Sequence, residues 1–296
     1  MINPIKIWLK EIRANFLVLA VALVMIGGAA AWHYSNFNPG IFIITLIGVV
    51  SAHISVNLFN EYSDWKTGID ENTERTPFSG GSGNLQKGLL KPFQVRLAAW
   101  ITLTVAFFIG LGLACVSGWQ VLIFMGIGGI TIVFYTEYLT KWMIGEFASG
   151  LTLGSFVVIG TYFVQTSEIT SNIIWASVSP GILTMLLLLL NEFPDIEADR
   201  TGGRRHLVIV LGERISGVIY SILLMCVYLV FILGAVKGTM PVTVLLCFIT
   251  FPLAAHTVYR VLRYGSEKQG MNPALGMNVI VVLTTDFLLA VSYLIR

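Results

Sequence analysis

Charge is scarce in this chain: Asp, Glu, Lys and Arg make up 11% of its 296 residues, against 56% hydrophobic ones. A soluble domain carries about 25% charged residues, so a water-soluble globular fold is excluded and an integral membrane protein remains. Cysteine is nearly absent. Cys115, Cys226 and Cys247 all fall in apolar runs without paired spacing, which argues against a disulfide framework or a thiolate metal site. They read as small apolar filler. Strand-length alternation of apolar and polar residues is also missing, which removes a transmembrane β-barrel.

What the chain does have is long apolar runs. About 20 apolar residues let a helix cross a hydrocarbon core of roughly 30 Å. Nine spans are predicted, at about 14–32, 40–62, 93–115, 119–138, 145–164, 172–193, 215–235, 240–262 and 275–295. The fold class is therefore all-α and polytopic, in one membrane-embedded domain over 1–296. With the N-terminus in the cytoplasm, every Lys and Arg except Lys237 and Arg296 falls on the inner side. The positive-inside rule then predicts a cell-membrane protein with its N-terminus inside and its C-terminus outside. Lys6 to Arg13 and the apolar stretch up to Ala31 imitate a signal peptide, but the run is longer than a usual h-region and further spans follow. It is read as a retained first span.

One pattern occurs twice. Asn60-Glu61-Tyr62-Ser63-Asp64 ends the second span and Asn191-Glu192-Phe193-Pro194-Asp195 ends the sixth. The chain thus reads as two four-helix repeats, about 1–140 and 141–264, plus a ninth helix at about 275–295. Both acidic clusters then face the cytoplasm, each beside a polar loop.

Asn60 and Asp64 are four apart and share one face of a continuing helix. Asn191, Asp195 and Asp199 repeat that spacing, and each cluster offers two or three oxygen ligands. Gly68 is expected to end the first helix, which lets Asp70 curl back towards the same ion. Pro194 should disturb the ladder near Leu190. Facing carboxylates at a membrane surface repel unless a cation lies between them, and Mg²⁺ suits such a set, being hard and shared between carboxylates and phosphates. Zinc suits it poorly because neither motif holds Cys or His; His206, the nearest histidine, lies beyond the Arg204-Arg205 pair. Lys66, Arg75, Lys87, Arg200, Arg204 and Arg205 lie in the same two loops. Carboxylates, a dication and several guanidinium groups together suit a diphosphate. A diphosphate at the mouth of a membrane cavity implies a lipid-like tail, so an isoprenoid diphosphate fits. Loss of diphosphate from an allylic carbon leaves a carbocation, for which Phe59, Tyr62, Trp65, Tyr135, Tyr138, Phe156 and Phe193 are candidate shields. No nucleic-acid partner is expected.

At these residues the sequence resembles the UbiA superfamily of intramembrane aromatic prenyltransferases. The resemblance rests on Asp64-Trp65-Lys66-Thr67-Gly68-Ile69-Asp70, on Gly83-Asn84-Leu85-Gln86-Lys87-Gly88 and on Asp195-Ile196-Glu197-Ala198-Asp199-Arg200. Gly203-Arg204-Arg205, Val210-Leu211-Gly212 and the stretch from Tyr135-Thr136 to Gly145-Glu146 add to it. The similarity is greatest to its 1,4-dihydroxy-2-naphthoate polyprenyltransferase branch, in menaquinone synthesis. It implies that Asn60, Asp64, Asp70, Asp195 and Asp199 hold Mg²⁺, with Mn²⁺ as a substitute. It also implies that Arg75, Lys87, Arg204 and Arg205 steady the phosphates while a ring carbon of an aromatic acceptor attacks. Arg13 stands where the family often shows an Arg-Pro pair and is assigned to the diphosphate. Glu61 replaces a common Asp and is expected to reach metal through water, while Glu192 and Pro194 are untypical and point to an altered acceptor pocket or a non-aromatic acceptor.

Asp286, in Thr284-Thr285-Asp286 of the ninth span, is read as bonding neighbouring helices through its threonines, and His53 as a packed, hydrogen-bonded histidine. Two rival readings carry weight. A cation-coupled transporter also uses intramembrane acids and repeats, but its acids lie near the midplane. A lipid-head-group phosphotransferase calls for a compact Asp-rich signature within one helix pair, which is absent.

Overall fold

The computed structural model describes residues 3–34, 37–73, 80–265 and 268–295. All regular structure among them is helical. A hydrocarbon environment demands this, since intrahelical hydrogen bonds satisfy the backbone without water. In chain order the helices are α1 (Pro4–Glu11), α2 (Leu17–Tyr34), α3 (Pro39–Thr67), α4 (Ile69–Asn72), α5 (Pro92–Ser117), α6 (Val121–Phe134) and α7 (Gly145–Thr166). There follow α8 (Ser171–Asn191), α9 (Ile196–Thr201), α10 (Leu207–Leu211), α11 (Glu213–Val236), α12 (Val242–Tyr264) and α13 (Lys268–Leu294).

Eight of these are long and apolar enough to cross a membrane among the described residues, and α6 is a shorter apolar helix of 14 residues. At 1.5 Å per residue α6 spans about 21 Å, so the run predicted at about 119–138 is helical over only part of its length. Polar partners explain where it stops. Thr136 Oγ1 donates to Asn60 Oδ1 at 3.3 Å, and the Arg205 amide donates to the Thr140 carbonyl at 2.8 Å. Residues 135–141 are thereby folded against the acidic segments instead of continuing the ladder.

Burial separates core from lipid-facing helices. In its most apolar stretch α5 is 17% buried, whereas α8 is 67% buried. Apolar residues such as Phe108 and Val116 on α5 are exposed, as on a lipid-facing surface. The main core joins α2, α7, α8, α11, α12 and α13. A smaller cluster of Leu58, Leu85, Leu90, Val95 and Ala99 seats the 80–91 loop against α3 and α5.

Helix α2 packs on α3, α7 and α13, so it stands between the front and back of the chain. Helices α7 and α8 approach backbone to backbone. A Cβ on Gly154 would lie 2.6 Å from the Gly181 Cα, which only glycine at both positions permits. This crossing holds the start of α7, with Glu146, beside the end of α8, with Glu192.

Candidate active site

Helix α3 runs unbroken through Asn60 and Asp64 and ends at Thr67, where Gly68 caps it in the left-handed region at φ 74. Both side chains line a cavity of about 670 Å³. The reversal at Gly68 starts α4 and returns Asp70 to the same wall. Gln86 Nε2 donates to Asp70 Oδ2 at 2.9 Å, which ties the 80–91 loop to the motif. Gly81 makes that approach possible: its φ is +66, and a Cβ there would sit 2.8 Å from both Asp70 oxygens.

The second segment differs from its expected form. Asn191, Asp195 and Asp199 do not share one continuous helix: α8 ends at Asn191, and Asp195 is the residue that precedes α9. Pro194 has no amide hydrogen to continue the ladder, and a tight turn replaces it, with the Asp195 amide donating to the Glu192 carbonyl at 3.3 Å. All three side chains nevertheless reach the cavity.

Arg204 joins the two segments. Its Nη2 donates to Asp64 Oδ1 and, at 3.3 Å, to Asn60 Oδ1, while Nη1 donates to Asp199 Oδ1 at 2.8 Å. Burial alone would lower the Arg204 pKa, but Asp64 and Asp199 overcome that and raise it, so the guanidinium stays charged. Burial would likewise raise Asp199, yet Arg204 and His206 hold it below the usual carboxylate value. Asp70 and Asp195 titrate the other way. Burial, with Asp64 beside one and Asp199 beside the other, pushes each to about 7.

Of the other cations predicted for the site, Arg13 lines the cavity, and its Nε donates to Glu61 Oε1 at 2.6 Å. Glu61 also accepts from the Ser82 amide at 2.9 Å. It is buried and absent from the cavity wall, so it braces Arg13 and the loop rather than facing a metal. Lys66 is exposed and pairs with Glu137 at 3.6 Å, and Lys87 and Arg205 are exposed and off the cavity wall. Arg75 lies outside the described residues. Among the candidate aromatics, Tyr135 and Phe156 line the cavity and the other five do not. His53 also lines it, with no hydrogen-bond partner for Nδ1. Asp286 is fully buried away from the cavity, and neither carboxylate oxygen has a hydrogen-bond partner, while Thr285 bonds Thr250 instead. The helix-bonding role expected for Asp286 is therefore not made by its own side chain.

Two functional neighbours escaped the sequence reading. His206 Nε2 lies 2.9 Å from Asp199 Oδ2, because the turn after α9 brings it back across the arginine pair. Glu146 Oε1 accepts the Leu207 amide at 2.6 Å. Buried polar residues flanking an acidic motif were the available signal in both cases, but only the α7–α8 crossing shows them adjacent. Away from the acidic mouth the wall is mostly apolar, with Leu103, Phe107, Phe124, Val157 and Leu187 among its residues.

Comparison with known proteins shows the family and the fold. A family model described as the UbiA prenyltransferase family matches residues 20–279. A 1,4-dihydroxy-2-naphthoate octaprenyltransferase of Haemophilus influenzae is 26% identical over 100% of this chain and 98% of its own length. The enzyme of that name from Escherichia coli is 28% identical over 72% of this chain and 70% of its own. A solved UbiA homologue of Archaeoglobus fulgidus, bound to DMAPP and Mg²⁺, shares the fold with a TM-score of 0.61 at 10% identity, over 96% of this chain and 99% of that one.

Proposed function

The chain belongs to the UbiA prenyltransferase family, and from that premise we propose that it moves a prenyl group from an isoprenoid diphosphate to an aromatic quinone precursor of the naphthoate kind. The observation that carries this reading is one cavity with two chemistries. Both acidic segments and Arg204 meet at its mouth, and its remainder is mostly apolar. A diphosphate head fits the first part and an isoprenoid tail the second. The octaprenyltransferase relatives and the homologue bound to DMAPP and Mg²⁺ support the same pair of ligands.

The donor set suits magnesium. Asn191 Oδ1 and Asp195 Oδ1 are buried on the cavity wall without a hydrogen-bond partner, and every candidate ligand is an oxygen. Asn60, Asp64, Asp70, Asp195 and Asp199 would hold Mg²⁺, or Mn²⁺ in its place, and Asn191 would meet the substrate. When bound, the metal supplies positive charge to a departing diphosphate. Arg13 and Arg204 donate hydrogen bonds to the phosphate oxygens, and Glu61 keeps Arg13 aimed at them. Lys66, Lys87 and Arg205, exposed on the adjoining loops, attract the anionic head at longer range; Arg75 belongs to the same loop set by sequence. The apolar wall excludes water from an allylic carbocation until a ring carbon of the acceptor captures it. The two motif-bearing halves act as repeats that each supply one side of this mouth, and their basic loops orient it to the cytoplasm.

The test is direct. Purified protein in detergent is given labelled geranylgeranyl diphosphate, Mg²⁺ and a panel of aromatic acids including 1,4-dihydroxy-2-naphthoate. A labelled, chelator-sensitive prenyl product is expected. Failure with every acceptor, together with cation-driven uptake into vesicles, would overturn the reading in favour of transport.

A further inference from the structure

We propose that Glu146, Glu192 and His206 form a second metal site, for a first-row transition dication such as Zn²⁺, next to the diphosphate site and separate from its magnesium. The three residues come from three elements: the start of α7, the turn after α8 and the residue before α10. Their relative exposures are 1%, 9% and 1%. One donor atom from each lies within 4.8 Å of the other two.

What marks the group as a ligand set is the way its other atoms are committed. Glu146 Oε1 already accepts the Leu207 amide. His206 Nε2 lies 2.9 Å from Asp199 Oδ2, which accepts the ring proton's hydrogen bond in the tautomer that carries the proton on Nε2. The lone pair on His206 Nδ1 then points at Glu192 Oε2, 3.6 Å away. His206 Nδ1, Glu192 Oε2 and Glu146 Oε2 are all buried without a hydrogen-bond partner. Three acceptors therefore face one another, which is unfavourable unless a cation or protons lie between them. A carboxylate behind the imidazole is the usual support of a metal-bound histidine.

Imidazole with two carboxylates selects zinc-like ions over Mg²⁺, which prefers oxygen and retains its waters. Tetrahedral zinc bonds of about 2.0–2.2 Å set donors about 3.4 Å apart, so a pair at the 4.8 Å limit would close by about 1.4 Å, within reach of glutamate rotamer changes. Glu192 and His206 also line the cavity, so a fourth position would open onto it. There the ion would take the oxygen of an acceptor hydroxyl; this consequence rests on the prenyl-transfer reading, whereas the metal site does not.

The experiment uses tag-free protein in detergent, stripped with chelator and incubated with Zn²⁺ under excess Mg²⁺. Zinc retained after desalting is counted by mass spectrometry, and its ligands are read by X-ray absorption. One Zn²⁺ per chain with a nitrogen and oxygen shell is expected for the wild type, and equally for Asp64→Asn and Asp195→Asn. Glu146→Gln and His206→Gln should weaken retention about 10–100-fold; if either fails to give a monodisperse protein, Glu192→Gln replaces it. No retention by wild type would overturn the site, leaving protons shared among Glu146, Glu192 and His206. Equal retention in the Glu146→Gln protein, or loss confined to the Asp64→Asn and Asp195→Asn proteins, would overturn it as well. Absence of prenyl transfer leaves every one of these readings intact.

Discussion

In the first acidic segment Asn60 and Asp64 ride one uninterrupted helix, whereas in the second Asn191 closes a helix and Asp195 precedes the next. The five-residue pattern is shared, yet the backbone beneath it is not. The continuous helix delivers Asp64 to Arg204 as a buried ion pair. The broken one leaves Asp195 Oδ1 and Asn191 Oδ1 buried and unpartnered on the cavity wall. Equal spacing in sequence thus leaves Asn60 and Asp64 engaged by Arg204, and Asn191 and Asp195 still able to accept a cation. Asp199, further along the second segment, returns to Arg204.

The hardest blow to this pairing is removal of charge from either half. Asp64→Asn or Asp195→Asn should each lower prenyl-transfer kcat by roughly a thousandfold or more, as loss of a main electrostatic contact does, with helix content unchanged by circular dichroism. If one variant keeps full activity, the halves are not equivalent partners. Next comes Arg204→Gln, which removes the bridge itself. Activity should fall about a hundredfold, and breaking a buried ion pair should cost about 3–5 kcal/mol in denaturant unfolding. A variant as stable as the wild type would show that the bridge is incidental.

A smaller effect follows from Asp70 and Asp195, each pushed by burial to about 7. Their folded-state values lie above the unfolded ones, so the metal-free folded protein binds more protons than the unfolded chain between the two. Its stability should therefore fall as pH rises through about 7. Magnesium requires the ionised carboxylates, so its affinity should climb up to roughly tenfold per pH unit for each carboxyl, and level off above about pH 8. Calorimetric titration across that range checks both signs. The least effect belongs to Lys66→Ala: its exposed partnership with Glu137 should contribute no more than about 1 kcal/mol, and activity should change less than threefold by steady-state assay.

Much of this was legible before any coordinates. Apolar run lengths locate the long helices, and the acidic pentapeptides mark the cavity mouth, because both signals are local. Gly68 ending α3 and Asp70 turning back also follow from residue chemistry. The helix break at Asn191 was half legible, since Pro194 announced a disturbance but not a new helix beginning after Asp195. Contacts distant in sequence were hidden. Glu61 reads as a ligand until Arg13 and Ser82 are seen to occupy it, and His206 reads as remote until the turn after α9 returns it to Asp199. Likewise, α6 ends early because of partners on α3 and in the 204–206 segment, not because its own residues lack apolar character.

The most direct trial of the account is a double-mutant cycle on Mg²⁺-dependent binding of geranyl diphosphate, with Asp64→Asn, Asp195→Asn and the two combined. Because both carboxylates are held to serve one diphosphate head, the double variant should bind scarcely worse than the weaker single variant, a coupling well beyond the ~0.5 kcal/mol scatter of independent sites. Losses that simply multiply would mean that the two segments act on separate ligands, and would contradict it.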